Sequence, residues 1–327
     1  MPFAWSLAVL AAALAIDRAL GDPPWLWRRA PHPVVLIGRA IGALEARMNA
    51  ERLPFATRRR RGIVTLLALA LAGAGFGWLI GSGLAALPFG FIVEVLLVAV
   101  LLAQKSLVHH VSAVAHALDK DGLAGGRAEV AKIVGRDVSA LDQAGIARAA
   151  IESAAENFAD GVVAPAFWCA LLGLPGLIVF KIVSTADSMI GHRSPRYAAF
   201  GWAAAQSDDV LNFVPARLSA LLIAGAAGLA GRTAREATAT ALRDAHLHKS
   251  PNAGWPEAAM AGALGLALGG PRRYGRESVD GAWLNAPGRR DARADNIRAA
   301  VRLIDGAWGL LLGIVALTTV SALWIAR

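Results

Sequence analysis

Cysteine is nearly absent from this 327-residue chain, and charge is scarce. The single Cys169 excludes an intrachain disulfide and a thiolate metal cluster; set in an apolar run, it reads as a small core residue. Charged residues make up 17% of the sequence, against about a quarter in soluble domains, while 56% are hydrophobic. That balance excludes an ordinary water-soluble globule. No Lys or Arg precedes the first apolar run, MPFAWSLAVLAAALAID, where a signal peptide would carry its basic region. ALA at 13–15 imitates a cleavage site, but the stretch is expected to remain as a membrane helix. The glycine-rich GLAGGRAEVAKIVGRD lacks the GK[ST] ending of a phosphate-binding P-loop.

What is present is apolar length. Runs at 2–16, 62–82, 84–103 and 307–326 approach or reach the roughly 20 residues that a spanning helix needs, and 161–183 and 216–231 are weaker candidates. Positive charge is concentrated rather than spread: nine Arg lie in 28–61, including RRRR at 58–61, and twelve Lys or Arg lie in 232–304. By the positive-inside rule both regions face the cytoplasm. Because RRRR abuts a span and no aromatic platform accompanies it, it marks topology or lipid headgroups and not nucleic acid. The expected fold is therefore all-α: a polytopic integral membrane protein of five to seven apolar helical segments, some re-entrant or interfacial. It reads as a single membrane-embedded domain over 1–327. The polar cytoplasmic segments are expected at about 17–61, 104–160, 184–215 and 232–304.

Glycine and proline punctuate this pattern. GDPP and PHP, after the first span, are turns. GLPG at 173–176 splits 161–183 into halves of about a dozen residues, too short at 1.5 Å per residue to cross a core of roughly 30 Å. A broken or re-entrant hairpin is expected there, surrounded by protein. The run 216–231 cannot be a simple crossing if 232–304 is cytoplasmic; it lies in the interface or pairs with 258–270. No internal repeat is evident. In HHVSAVAHAL, His109 and His116 share a helical face but lack a third metal ligand nearby.

Four polar clusters stand where polar residues are expensive. In ESAAENFAD, Glu152, Glu156 and Asp160 recur every four residues, with Ser153 and Asn157 between them. Aligned acids repel unless a cation lies between them. KIVSTADSMIGHR supplies Lys181, Ser184, Thr185, Asp187, Ser188, His192 and Arg193. AAAQSDDVLNFVPAR supplies Asp208, Asp209, Asn212 and Arg217. HLHKSPNAGWPEAAM supplies His246, His248, Lys249, Ser250, Asn252 and Glu257. Carboxylates with hydroxyl and amide oxygens suit magnesium, and Lys181, Arg193 and Arg217 suit phosphate oxygens. The bland alternative is interfacial ion pairing. The chemistry reads as a membrane enzyme handling a phosphorylated substrate with a divalent metal. Three readings stay open at this level: prenyl transfer, with DDVLN as a partial aspartate-rich motif; ATP-driven amide joining; and a small transporter with a broken-helix site.

DRALGDPP with HPVVLIGRAI, ESAAENFADGVVAPAFW, KIVSTADSMIGHRSPRYAAFGWAAAQSDDVLNFVPAR and SPNAGWPEAAMAGALG together resemble the CobD/CbiB family of cobalamin biosynthesis, the membrane-bound adenosylcobinamide-phosphate synthases. The resemblance runs in order from about Asp17 to about Tyr274. It implies an ATP- and magnesium-dependent ligase of the cell inner membrane. Its substrates would be adenosylcobyric acid and 1-aminopropan-2-ol phosphate or ethanolamine phosphate, and its active site would face the cytoplasm. The partners expected are these substrates, the lipid bilayer and other membrane-bound enzymes of the pathway, with no nucleic acid.

On that reading Glu152, Glu156, Asp160, Asp208 and Asp209 hold magnesium and ATP phosphates together with Asp187. Lys181, Arg193 and Arg217 neutralise developing charge. His192 is the candidate base for the attacking amine. Asn157, Ser184, Asn252, Trp255 and Glu257 contact substrate, and Trp255 offers a surface for the corrinoid.

Overall fold

A computed structural model describes residues 3–231, 233–274, 277–279 and 281–325. The helices are α1 (Phe3–Leu20), α2 (Pro24–Trp27), α3 (Pro33–Met48), α4 (Phe55–Ala85), α5 (Gly90–Val100), α6 (Gln104–Val130), α7 (Gln143–Phe158), α8 (Ala164–Ile190), α9 (Trp202–Leu229), α10 (Ala234–Asp244), α11 (Gly254–Leu264) and α12 (Ala294–Ile325). A π-helical turn, Ala159–Val163, joins α7 to α8. Two small antiparallel ladders, which the sequence did not announce, pair β1 (Leu268–Gly269) with β4 (Trp283–Leu284) and β2 (Arg272–Tyr274) with β3 (Glu277–Val279). The fold is otherwise all-α, and six helical stretches of the described residues are long and apolar enough to cross a membrane.

The single body read from sequence divides into two compact units. Unit 1 comprises Met1–Ala103, Ala164–Asn212 and Val315–Arg327; unit 2 comprises Gln104–Val163 and Phe213–Ile314.

In unit 1, α4 carries Gly73, Gly77 and Gly81 on one stripe, all buried. The small-xxx-small spacing lets α8 approach closely. A Cβ on Gly73 would meet Ile182 and Ile178, and one on Gly77 would lie 2.8 Å from the Pro175 backbone. The opposite face of α4 exposes Leu67, Leu71, Phe76, Trp78 and Leu79, as lipid contact requires. Nearer the arginine end, Gly62 abuts the Phe200 carbonyl. So α4 and the second half of α8 run antiparallel, and Asp187–Arg193 lies towards the end of α4 that carries RRRR. Ile41, Leu66, Val183, Ala186, Ile190 and Phe200 close the core there.

The expected hairpin is present. Gly173 has φ 64° and ψ −154° inside α8. A Cβ on Gly176 would sit 2.5 Å from the carbonyl oxygen of Trp168, eight residues earlier. In a continuous helix those residues are about 12 Å apart along the axis, so the chain doubles back. The returning arm continues to Ile190, further than the dozen residues expected, because KIVSTADSMI stays helical. In unit 2, Gly122 repeats the device, with φ 64° and ψ −149° in α6, and Gly125 then lies against the Ala117 carbonyl. GLAG and GLPG are the same turn. The stretch that imitated a phosphate loop is thus helical hairpin.

The run 84–103 contributes α5 to one of the six apolar stretches, Gly90–Val130, which a break at Leu101–Ala103 divides. Two span expectations change. The run 216–231 is the second half of the 28-residue α9. The polar text ahead of it joins the same helix, with Asn212 buried while Val210, Phe213 and Val214 are exposed. The apolar 258–270 stretch is interior: Ala258 to Ala261 of α11 are fully buried within unit 2.

Candidate functional site

Unit 1 gathers the second and third polar clusters. Asp187 ends the returning arm of α8, and Asp208 and Asp209 lie in the first turns of α9. Asp187 lies within electrostatic range of Asp209 and His192, Asp208 of Asp187 and Asp209, and Asp209 of Arg193. The helix spacing of Asp208 and Asn212 puts Asn212 Nδ2 3.0 Å from Asp208 Oδ2, to which it donates. Asp208 Oδ1 and Asn212 Oδ1 are then both buried with no hydrogen-bond partner among the described residues. The two stranded acceptor oxygens beside further carboxylates make a local surplus of acceptors over donors.

His192 and Arg193 are exposed, and Lys181 and Ser184 half-buried. Lys181 and Ser184 share the helix turn that leads to Asp187. Among the described residues, no three His, Cys, Asp or Glu side chains form a ready metal-ligand group, and this includes His109 and His116. Magnesium needs no such cage, since it keeps waters and uses one or two carboxylates with substrate phosphates.

The Gly191–Phe200 turn that carries His192 and Arg193 is held by a polar knot of buried Glu45, Asn49 and Arg58 with exposed Arg196. Glu45 accepts from Asn49 Nδ2 at 2.8 Å and from Arg196 Nε and Nη2 at 3.1 and 3.0 Å. Arg58, from RRRR, donates to Asn49 Oδ1 at 2.7 Å and to the Arg196 carbonyl. The sequence reading missed this knot; its only trace was the i, i+4 pair Glu45–Asn49. Arg59, the next residue, lies 3.7 Å over the Trp202 ring. RRRR therefore builds structure besides marking topology.

Unit 2 holds the first and fourth clusters. The three carboxylates of ESAAENFAD do not act alike. Glu152 is buried; Arg136 Nη2 donates to it at 3.0 Å and Gly269 N at 2.8 Å. Both its oxygens are thus engaged inside the unit, Oε2 by Arg136 and Oε1 by Gly269. Glu156 and Asn157 are exposed, and Asn157 donates to the Ser153 carbonyl and hydroxyl. Asp160 is half-buried in the π turn, where one extra residue per turn shifts it away from the line of the other two.

The fourth cluster is brought to Arg217. Its Nη1 donates to Asn252 Oδ1 at 3.2 Å, and its guanidinium lies 4.7 Å from the Trp255 ring centroid and 3.6 Å from that of Phe213. One face of Trp255 is therefore already covered. A cavity of about 210 Å³ opens beside them, lined chiefly by Ala220, Leu221, Ala241 and Leu242. The turn before α11 is capped by Ser250 Oγ, which accepts from Asn252 N and Ala253 N at 3.2 Å each. Glu257 is buried, with His248 Nε2 3.7 Å from its Oε1, and Ser250 N donates to His248 Nδ1 at 3.1 Å.

Comparison with known proteins bears on the whole chain. A family model described as CobD/Cbib protein matches residues 10–304. The chain belongs to the CobD/CbiB family. Relatives named "Cobalamin biosynthesis protein CobD" include one from a Sinorhizobium species, 54% identical over 312 residues, covering 94% of this chain and 97% of the relative. The Brucella suis biovar 1 (strain 1330) protein is 53% identical over 322 residues, 98% of each chain. The Rhodobacter capsulatus protein is 44% identical over 324 residues, covering 94% of this chain and 97% of its own. No solved structure matches. As a CobD/CbiB cobalamin-biosynthesis protein with six potential spans, the chain has both long polar motifs of unit 1 inside the matched region.

Proposed function

We propose that this chain joins a propionate carboxylate of adenosylcobyric acid to 1-aminopropan-2-ol phosphate, or to ethanolamine phosphate, through an amide bond at the expense of ATP. The observation that carries the reading is the unit 1 cluster: stranded oxygens of Asp208 and Asn212 beside Asp187 and Asp209, with His192 and Arg193 facing them. A phosphorylated substrate with a divalent cation calls for that mixture of acids and bases, and cobalamin biosynthesis is where the family acts.

In the proposed reaction the corrinoid carboxylate oxygen attacks the terminal phosphorus of ATP and ADP leaves. The amine nitrogen then attacks the acyl carbon, the C–N bond forms and inorganic phosphate departs with the former carboxylate oxygen. His192 takes the proton that the nitrogen loses. Arg193 and Lys181 hold phosphate oxygens as charge develops on them, where preorganised electrostatics contribute most. Asp187, Asp208, Asp209 and Asn212 would hold magnesium, which when bound neutralises phosphate charge. Within unit 2, Glu156, Asp160 and Asn157 are proposed as substrate-contacting polar residues of that unit. Arg217, Asn252 and Trp255 are proposed to receive the corrinoid periphery, and Glu257 to orient His248 beneath it. The site is proposed to face the cytoplasm, where ATP is available and where the arginine end of α4 points by its charge.

The test is mass spectrometry of detergent-purified protein with adenosylcobyric acid, aminopropanol phosphate and magnesium ATP, against an ATP-free control. A corrinoid heavier by the amine minus water, formed only with ATP, is the expected product. Unchanged corrinoid from folded protein, with either amino-alcohol phosphate, would remove the ligase reading.

A further inference from the structure

A second site lies at the other end of unit 1. A cavity of about 240 Å³ is lined by Phe3, Ser6, Trp78, Ser82 and Glu94, with the Gly173 turn against it. Arg58 and Ser82 are 24 helical residues apart on α4, about 36 Å at 1.5 Å per residue, so the cavity lies at the membrane boundary opposite the arginines. Its rim is aromatic and open to lipid, Trp78 being 66% and Phe3 51% exposed. Exposed aromatic rings at such a depth belong to the headgroup layer.

The floor is the unusual part. Glu94 is 1% exposed, on an otherwise apolar helix. Trp5 Nε1 donates to Glu94 Oε2 at 2.8 Å, and Trp5 is itself held edge-on by Phe91, 5.2 Å away. An indole N–H gives a hydrogen bond but no compensating charge. Among the described residues, no Lys, Arg or His lines the cavity. A carboxylate this deep calls for a cationic partner. The lining selects among cations. Glu94 and the Ser6 and Ser82 hydroxyls are three acceptors, matching the three N–H donors of a primary ammonium. Phe3 and Trp78 supply ring faces that attract a cationic head, and one carboxylate is too few for a metal cage. Gly173 keeps the floor open, since a Cβ there would lie 3.1 Å from Ser6 Oγ.

We infer that this cavity binds the primary ammonium headgroup of a membrane phospholipid, with Glu94 as its counter-charge. The lipid source follows from the lipid-facing rim; a free alkylammonium has the same head and is separated by the test. Full-length protein is placed in nanodiscs of equal phosphatidylethanolamine and phosphatidylglycerol, and lipids retained after release are counted by native mass spectrometry. Wild type is expected to retain phosphatidylethanolamine preferentially. Glu94→Gln should lose that preference by about tenfold or more, the effect of removing one charge-assisted contact. Ser82→Trp, which fills the cavity and leaves the carboxylate in place, should lose it too and guards against a folding defect in the first variant. Equal retention of the two lipids by wild type, or a Glu94→Gln protein that retains phosphatidylethanolamine as wild type does, overturns the proposal. A parallel set in phosphatidylglycerol-only discs receives free ethanolamine. Stabilisation of wild type there, without phosphatidylethanolamine retention in the mixed discs, would assign the cavity to a free amine and overturn the lipid source.

Discussion

At the scale of single residues, identical carboxylates have been given different work by their surroundings. Asp208 keeps a buried oxygen without a partner, whereas Glu152 spends both of its oxygens on Arg136 and Gly269. Asp208→Asn and Asp187→Asn are therefore expected to lower amide-forming turnover by about 100-fold or more with little change in thermal stability, the size seen when one preorganised group is removed. Activity within about threefold of wild type in both would take them out of the site. Glu152→Gln should do the reverse. It leaves Arg136 buried and unpaired, at a cost of about 3–5 kcal/mol. The double variant Glu152→Met with Arg136→Met should recover much of that in a thermal-unfolding scan; failure to recover would argue that the charge pair has a role beyond packing.

Asp244 gives the pH dependence. Burial alone would push its carboxyl up, but hydrogen bonds from the Arg243 guanidinium and the Asn285 N–H outweigh this and hold it below the usual carboxylate range. Between the folded and unfolded values the unfolded chain binds more protons. The stabilisation is thus complete above the unfolded value of about 3.9 and is lost as pH falls through the lower, folded value. Melting of unit 2 should show this acid loss, and Asp244→Asn should flatten it; an unchanged slope would remove Asp244 as its source. Asp187, His192, Arg193, Asp208, Asp209 and Asn212 of the unit 1 cluster could all be picked out by residue type and spacing. The knot of Glu45, Asn49, Arg58 and Arg196 could not, because its members are distant in sequence and each alone reads as a surface charge or amide.

At the scale of elements, the two glycine hairpins are a controlled comparison. Gly122 and Gly173 share nearly the same backbone angles, which side-chain-bearing residues adopt only with strain. Nothing lies within 4 Å of a Cβ built on Gly122, whereas one on Gly173 meets Ser6 Oγ at 3.1 Å. Gly122→Ala should therefore show backbone strain alone, about 1–3 kcal/mol, and Gly173→Ala a larger loss in the same thermal assay. Equal losses would mean that Ser6 moves aside freely. The break was legible because GLPG interrupts an apolar run. The length of the returning arm was not, because polar KIVSTADSMI reads as loop until a partner helix buries its Ile182, Val183 and Ala186 face. The same cause misled the reading of α9, where Asp208 and Asn212 turn inwards while Val210 and Phe213 turn out.

At the scale of the whole molecule, orientation is the testable property. Cys169 is buried and should not react, so single introduced thiols report cleanly. A membrane-impermeant maleimide should label Glu51→Cys, beside the arginine end of α4, only where the cytoplasmic face is accessible, and Phe89→Cys only from the opposite side. Labelling of both from one side would overturn the assignment of sidedness and, with it, the cytoplasmic site.

Composition and charge placement by themselves determined that the chain is a helical membrane protein, which ends carry its arginines, and where glycine must break a helix. These are local properties: apolar length sets burial in lipid, Arg counts set sidedness, and a residue without Cβ permits the turn. The ordered motifs also carried the family. Tertiary structure alone decided which acid serves which purpose. A carboxylate's role depends on the charges and donors that fold against it, and Arg136, Gly269 and Trp5 reach Glu152 and Glu94 across 16, 117 and 89 residues of chain.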